Sequence, residues 1–331
     1  MISERFDKIS AAKSFQNALL LLLFLSALFV VIIGITDAFD EIKNTDFLFL
    51  VSSVAFYVLS VVVWTIAWTN LIRKEHYLKF YGAIVLGLSS MFASLTPMQL
   101  GTDALRSYLL KQRYKVPFSK GISASMLIKG TKFLTLVLFF VVIVFVPIVK
   151  LNLTATVIAM LLLGLLVISV ASLLFLLPLS RRASSSMIRF VQKLAKRWKT
   201  FQSIEVFLGS YSAYTNERAP TLIKTFGFCL IAFLFEFLSF SSALLAVNVF
   251  MPVENMFFFF VIIAVLERTP FLPRGIGLVE LTSYVFLSTG SLAILSKQQI
   301  VSFIAVLDLA RIIIPTAISL LMFSLLQKIR L

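Results

Sequence analysis

Long apolar runs, separated by short charged segments, dominate the chain. A run of about 20 apolar residues is long enough to cross the hydrocarbon core of a bilayer as a helix. Two further runs are too short or are broken: Tyr81–Leu95 stops before Pro97, and Phe257–Leu287 is interrupted by prolines and glycines. The pattern predicts an all-α polytopic membrane protein with about six transmembrane helices and two re-entrant helical hairpins. The predicted spans are Phe15–Ile35, Phe47–Thr69, Thr131–Val149, Leu153–Leu177, Leu222–Phe250 and Val301–Leu326.

The basic residues between these runs predict the orientation of the chain. Lysine and arginine are enriched in cytoplasmic loops of membrane proteins. They precede the first span, follow the second, and fill the long segment from Leu179 to Pro220. We therefore expect a cell (inner) membrane protein with cytoplasmic N- and C-termini. On this topology Tyr81–Leu95 dips in from the cytoplasm, and Phe257–Leu287 re-enters from the outer face.

The same order of elements occurs twice, which predicts a single membrane domain over 1–331 with halves 1–150 and 151–331. Each half reads as span, span, hairpin, span. Because each half crosses the membrane an odd number of times, the second is inverted relative to the first, as in many transporters. The alternative is two unrelated irregular loops. A cytoplasmic amphipathic helix over about 181–215 lies on the anionic inner leaflet or simply connects two spans.

Composition and charge exclude several classes of function. The chain is 60% hydrophobic with a net charge of +15, but no basic run belongs to a soluble domain that would read nucleic acid. Cys229 and His76 are the only residues of their types, which removes the common zinc sites and a histidine-based triad. No Walker motif is present. We expect no metal and no cofactor.

The first hairpin carries Gly101, Asp103 and Arg106 directly after its turn. An acidic residue is favourable near a helix N-terminus, and Arg106 is one turn further on, where it can pair with Asp103. A purely structural reading is a capped interfacial helix with a surface ion pair. The functional reading is a substrate site at the turn.

The second hairpin turns at Pro270-Phe-Leu-Pro273-Arg-Gly-Ile-Gly277-Leu-Val-Glu280. Proline and glycine at this density cannot continue a helix. Non-helical backbone and charges at membrane depth are tolerated only where protein or a watery cavity surrounds them. Arg274, Gly275, Gly277 and Glu280 are therefore predicted to help form a substrate site.

Three more charged residues lie inside predicted spans: Glu236, Asp308 and Arg311. Asp308 and Arg311 are spaced to neutralise each other on one helix face. Alternatively, Glu236, Glu280 and Arg311 share a polar cavity, where the planar fork of arginine is suited to a phosphate group.

The two hairpins together resemble the transmembrane region of lysylphosphatidylglycerol synthases and the wider flippase-like family of bacterial and archaeal membrane proteins. The second half matches through Gly275, Gly277 and Glu280, and a late helix through Arg311. The first half matches the pattern P-x₃-G-G-D-x₂-R-x₃-L through Pro97, Gly101, Asp103, Arg106 and Leu110. One departure from this pattern is Thr102, where the family has a second glycine, and another departure from the family is the segment Lys129-Gly-Thr-Lys132.

The resemblance implies a transporter that binds an anionic or glycosylated membrane lipid and moves it between leaflets. Its expected partner is that lipid, and a separate biosynthetic enzyme is a second candidate partner. Alternatives are a membrane-embedded transferase with Asp103 or Glu280 as general base, or a non-catalytic subunit of a lipid or glycan biosynthesis system. The synthases carry a soluble aminoacyl-transfer domain, for which a chain ending at Leu331 has no room. The acids are also scattered over both predicted faces, so the features together favour a non-enzymatic role.

Overall fold

The computed structural model describes residues 43, 45–72, 80–96, 99–145, 155–195, 205, 207–211, 219–268, 273–288 and 295–328. Three sequence features lie outside these residues: the first predicted span, Phe15–Ile35, and the prolines Pro97 and Pro270. The described part is helical throughout and contains no β-strand. The predicted all-α membrane fold is therefore confirmed.

Five helical segments are long and apolar enough to cross a membrane, and they correspond to the last five predicted spans. The helix that corresponds to the predicted span Thr131–Val149 begins much earlier, at Phe118, because its first half carries serines and lysines that face protein rather than lipid. These segments are α1 (Phe47–Ile72), α4 (Phe118–Phe145), α5 (Ala155–Leu176), α7 (Ala219–Ala246), and the pair α10 (Lys297–Asp308) and α11 (Ile314–Lys328), which a π-helical turn at Leu309–Ile313 joins.

Short helices occupy both places where hairpins are predicted. The first pair is α2 (Phe80–Ser89), continued by a 3₁₀ turn at Met91–Ser94, and α3 (Leu100–Tyr114). The second pair is α8 (Val253–Leu266) and α9 (Leu278–Ser288), with a 3₁₀ turn at Pro273–Gly275 between them. Each helix of these pairs is shorter than a bilayer-spanning helix needs to be.

The two hairpin turns are built alike. Each places a non-glycine residue in the left-handed region, Gln99 at φ 54° and Arg274 at φ 52°. Each then packs a glycine against the carbonyl oxygen of the preceding short helical segment. A Cβ atom on Gly101 would lie 2.6 Å from the Ala93 oxygen, and one on Gly275 would lie 2.5 Å from the Leu266 oxygen. Glycine is needed at both positions because any side chain would collide with backbone.

The centre of the bundle is the contact between α1 and α7, the most extensive in the described chain. Small residues let these two helices approach closely, and the Ser53 hydroxyl donates a 2.8 Å hydrogen bond to the Ser239 carbonyl oxygen. Phenylalanines then join α7 to the second hairpin and α10, with Phe240 edge-on to both Phe259 and Phe303. By contrast, α5 exposes a broad apolar face that includes Leu163 and Leu173, as a lipid-facing helix does.

The basic segment predicted as an amphipathic helix contains α6 (Arg181–Ala195) and a helical stretch at 207–211. Leu208 and Tyr211 are buried, and the Tyr211 hydroxyl donates to the Phe175 carbonyl oxygen at the end of α5. The Ser210 and Ser119 hydroxyl groups are 2.9 Å apart. The stretch at 207–211 is thus packed on the bundle, which agrees with the connector reading there.

Candidate functional site

The first charged cluster lies at the start of α3. Asp103 forms a 2.7 Å ion pair with Arg106 Nη2, as the spacing of these two residues predicts, and a second ion pair with Lys129 of α4. Arg106 also donates to the Ser125 hydroxyl at 2.9 Å, and its guanidinium lies over the Trp68 ring at 4.7 Å. The alternative reading of a surface ion pair is wrong, because Asp103 and Arg106 are buried inside the bundle.

The second cluster is centred on Glu236 in the middle of α7. Its Oε2 pairs with Arg268 Nη2 at 2.7 Å, and its Oε1 accepts a 2.7 Å hydrogen bond from the Trp64 indole. Arg268 directly follows α8, where its Nη1 also donates to the Ala264 carbonyl oxygen at 2.8 Å. The buried carboxylate is therefore neutralised and hydrogen-bonded, as a charge at membrane depth must be.

The third cluster is built on Arg311, which is 2% exposed within the π-helical turn. Its Nη1 pairs with Glu267 Oε1 at 2.7 Å, and its Nη2 donates to the Glu236 carbonyl oxygen at 3.0 Å. The predicted pairing of Asp308 with Arg311 is wrong. A π-helical turn has a wider repeat than an α-helix, so residues three apart no longer stack on one face.

Arg274 occupies the turn of the second hairpin in the left-handed conformation. Such strain at a non-glycine residue persists only where the surroundings hold it, and it clusters at functional sites. The guanidinium donates to the Arg311 carbonyl oxygen and to the Tyr57 hydroxyl, and its buried Nε has no partner. Within the described part of the chain, Arg274 forms no ion pair with a carboxylate.

Lys132 is a second cation without an acidic partner. Its Nζ lies 3.8 Å from the centre of the Trp64 ring, a cation–π contact on a residue that also hydrogen-bonds Glu236. Among the described residues Lys132 forms neither an ion pair nor a hydrogen bond. One turn earlier on α4, Lys129 is paired with Asp103 instead.

Two adjoining cavities, with empty volumes of about 650 Å³ and 640 Å³, lie between these clusters. Gln99, Thr102 and Arg106 from the first hairpin line both, and so do Glu267 and Arg268 from the second. The ends of the two hairpins therefore meet around one polar space. Five basic side chains line the pair of cavities, Arg106, Lys129, Lys132, Arg268 and Arg274, against three acidic ones, Asp103, Glu236 and Glu267.

A smaller cavity of about 240 Å³ lies beside Arg274 on the other side of the turn. Glu280, Asp308 and Arg311 line it, and Glu267 and Arg274 belong to this cavity and to the larger one next to it. Glu280 accepts a 2.5 Å hydrogen bond from the Gly277 N–H, which holds the first turn of α9.

A sequence profile of the lysylphosphatidylglycerol synthase transmembrane region matches residues 18–319, almost the whole chain. The chain belongs to this family. The resemblance read from the two hairpin motifs is thereby confirmed. No curated protein and no solved structure gives a significant match.

The predicted charged site residues fall into two groups in this structure. Asp103, Arg106, Glu236 and Arg274 line the two larger cavities, whereas Glu280 and Arg311 line the smaller one. The expected single cavity holding Glu236, Glu280 and Arg311 is thus divided, with Glu267 and Arg274 at the division. Gly101, Gly275 and Gly277 shape the turns.

The residues of the site that were not on the predicted list include Tyr57, Trp64, Lys129, Lys132, Glu267 and Arg268. The adjacent pair Glu267-Arg268 carries the clearest sequence signal, because two charges interrupt an apolar run directly before the Pro270 turn. The fold brings Asp103, Glu236 and Glu267 to adjoining cavities, whereas Glu280 and Asp308 line the smaller one. In the described ranges no three potential metal ligands come together.

Proposed function

We propose that this chain binds the anionic headgroup of a membrane lipid in the two adjoining cavities and moves the lipid between leaflets. The observation that carries the proposal is the excess of buried and half-buried basic side chains where the two hairpins meet. Each lysine or arginine placed at membrane depth costs about 2.5–3.5 kcal/mol on insertion scales. An apolar side chain would stabilise a purely structural contact better.

Some of the basic side chains are paired with carboxylates and others are not, and this difference supports a ligand of the phosphate class. Arg106, Arg268 and Arg311 are held by carboxylates, which neutralise them and fix their positions. Arg274 and Lys132 form no ion pair with any described carboxylate. A guanidinium and an ammonium group facing the same cavity are the donors that phosphate oxygens accept best.

The path of movement follows from the hairpins. Because each is built from helices too short to span the bilayer, a headgroup at the junction has only part of the membrane left to cross on either side. The acyl chains remain in the surrounding lipid meanwhile. We further propose that the first hairpin enters from the cytoplasmic face and the second from the outer face, with both termini cytoplasmic.

The transferase alternative is less well supported. Asp103, the first candidate general base, is already engaged by Arg106 and Lys129. Glu280, the second, is turned into the small cavity, where it caps the Gly277 N–H. Neither carboxylate is free to accept a proton from a substrate in the larger cavities.

Transport is tested with the full chain reconstituted into vesicles that contain a fluorescent anionic lipid, whose outer-leaflet fraction is bleached by a membrane-impermeant reductant. Arg106→Gln and Lys132→Gln keep some hydrogen bonding while each removes a positive charge from the larger cavities. We expect strongly reduced lipid movement with little loss of protein level. Lys224→Gln is the matched control, because Lys224 is an exposed lysine of α7 that lies outside the two larger cavities. Lost expression with normal movement by the surviving protein would contradict the proposal.

A further inference from the structure

The acids that line the two larger cavities are all used by cations of the protein itself. Asp103 is shared by Arg106 and Lys129, Glu236 pairs with Arg268, and Glu267 pairs with Arg311. Arg274 and Lys132 are the cations left over, and both line the same cavity. Two basic side chains that line this cavity, rather than one, therefore have no carboxylate as an ion-pair partner.

The two remaining cations are held apart by α1. Lys132 lies over Trp64, with 3.8 Å from its Nζ to the ring centre, and the Arg274 guanidinium lies 5.3 Å from the ring centre of Tyr57. Tyr57 and Trp64 are seven residues apart, which puts them on one face of the helix and about 10 Å apart along its axis. A single phosphodiester with one negative charge would reach one of these cations and leave the other unmatched.

The acids of the small cavity do not fill this need. Glu280 and Asp308 line it together with Arg274, but neither forms an ion pair with that guanidinium within the described chain. The Glu280 carboxylate is used by the Gly277 N–H. The Nε of Arg274 is also buried and has no hydrogen-bond partner, and the residue as a whole is only 5% exposed. A buried donor of this kind costs free energy until a ligand engages it.

We propose that the lipid recognised here carries two linked phosphate groups, so that its headgroup is a diphosphate rather than a single phosphodiester. Arg274 takes one phosphate and Lys132 the other, across the face of α1 that Tyr57 and Trp64 form. This inference rests on the proposed binding of an anionic lipid and narrows its class. It does not depend on the lipid being moved.

Binding is measured on the full chain in detergent by the thermal shift that added ligand produces. The probes are farnesyl diphosphate, farnesyl monophosphate, phosphatidylglycerol and inorganic pyrophosphate. A hydrogen bond to a charged group contributes enough for about a tenfold change in affinity, so we expect the diphosphate to bind about tenfold more tightly than the monophosphate. Inorganic pyrophosphate should bind more weakly than farnesyl diphosphate, because it lacks the apolar tail.

The variants Lys132→Gln and Arg274→Gln should each remove the preference for two phosphates. Lys132→Arg keeps the charge and should keep most of the preference, which separates loss of charge from loss of folding. Lys224→Gln, on an exposed face of α7, should leave all four affinities unchanged.

Equal affinity for the two farnesyl phosphates, or equal losses for both in Lys132→Gln, would overturn the inference. If inorganic pyrophosphate bound as tightly as farnesyl diphosphate, the ligand would be a soluble diphosphate and not a lipid. Selective diphosphate binding without lipid movement in vesicles would support the inference and contradict transport alone.

Discussion

Charged side chains in this protein acquire their roles from partners far away in the chain. Arg311 is paired with Glu267 of the second hairpin rather than with Asp308, one turn before it on its own helix. Glu236 of α7 is matched by Arg268 in the same way, and Arg274 reaches Tyr57 of α1. Each of these contacts joins elements that the sequence separates, so the buried charges hold the bundle in one arrangement.

A double-mutant cycle should separate the real partner of Arg311 from the apparent one. Arg311→Gln and Glu267→Gln should show a coupling of about 0.5–3 kcal/mol in the free energy of unfolding, because they remove the same ion pair. Arg311→Gln and Asp308→Asn should show a smaller coupling, because no ion pair joins these two side chains. Unfolding is followed in detergent by circular dichroism. A larger coupling for the Asp308 pair would contradict the pairing in the structure.

The elements that define the site are the two turns between short helices. In each, a left-handed residue is followed closely by a glycine whose Cα lies near a backbone carbonyl oxygen: Ala93 in the first turn and Leu266 in the second. The turns differ in sequence, so their common geometry was not visible as a repeat. It agrees with the predicted relation between the two halves, which itself stays a prediction.

Gly275→Ala should disrupt the second turn. The added Cβ would lie 2.5 Å from the Leu266 oxygen, and glycine here has φ +70°, a conformation that side chains rarely adopt. We expect a loss of about 1–3 kcal/mol in stability, together with weaker ligand binding because Arg274 is displaced. Gly227→Ala, in α7 with nothing within 4 Å of its Cβ position, is the control and should stabilise by up to about 1 kcal/mol. Unchanged stability of Gly275→Ala would show that the turn relaxes freely.

The bundle as a unit places two short hairpins around one polar space, with long apolar helices outside them. This arrangement accounts for a chain that is 60% hydrophobic yet buries several ion pairs. It also explains why α4 carries Lys129 and Lys132 within an otherwise apolar stretch: both line the cavities between the hairpins.

Membrane orientation is checked by cysteine labelling in intact and permeabilised cells. The background is Cys229→Ser, which removes a thiol that is already buried. Lys111→Cys, on the exposed side of α3, should react only after the inner face becomes accessible, and Glu254→Cys, at the start of α8, should react from outside. Labelling of both positions from the same side would remove the opposed arrangement of the hairpins.

The sequence by itself determined the spans, the two broken segments and the motif residues, because apolar runs and helix-breaking residues act locally. It pointed to Arg106, Glu236, Arg274 and Glu280 because a charge in an apolar run needs a reason to be there. Only the tertiary structure decided which of these charges are paired. Ion pairing depends on contacts between distant helices. At Arg311 it also depends on a π-helical turn, which the hydrophobic periodicity of the sequence does not predict. That Arg274 and Lys132 form no ion pair with a described carboxylate became visible only where α1, α4 and the second hairpin come together.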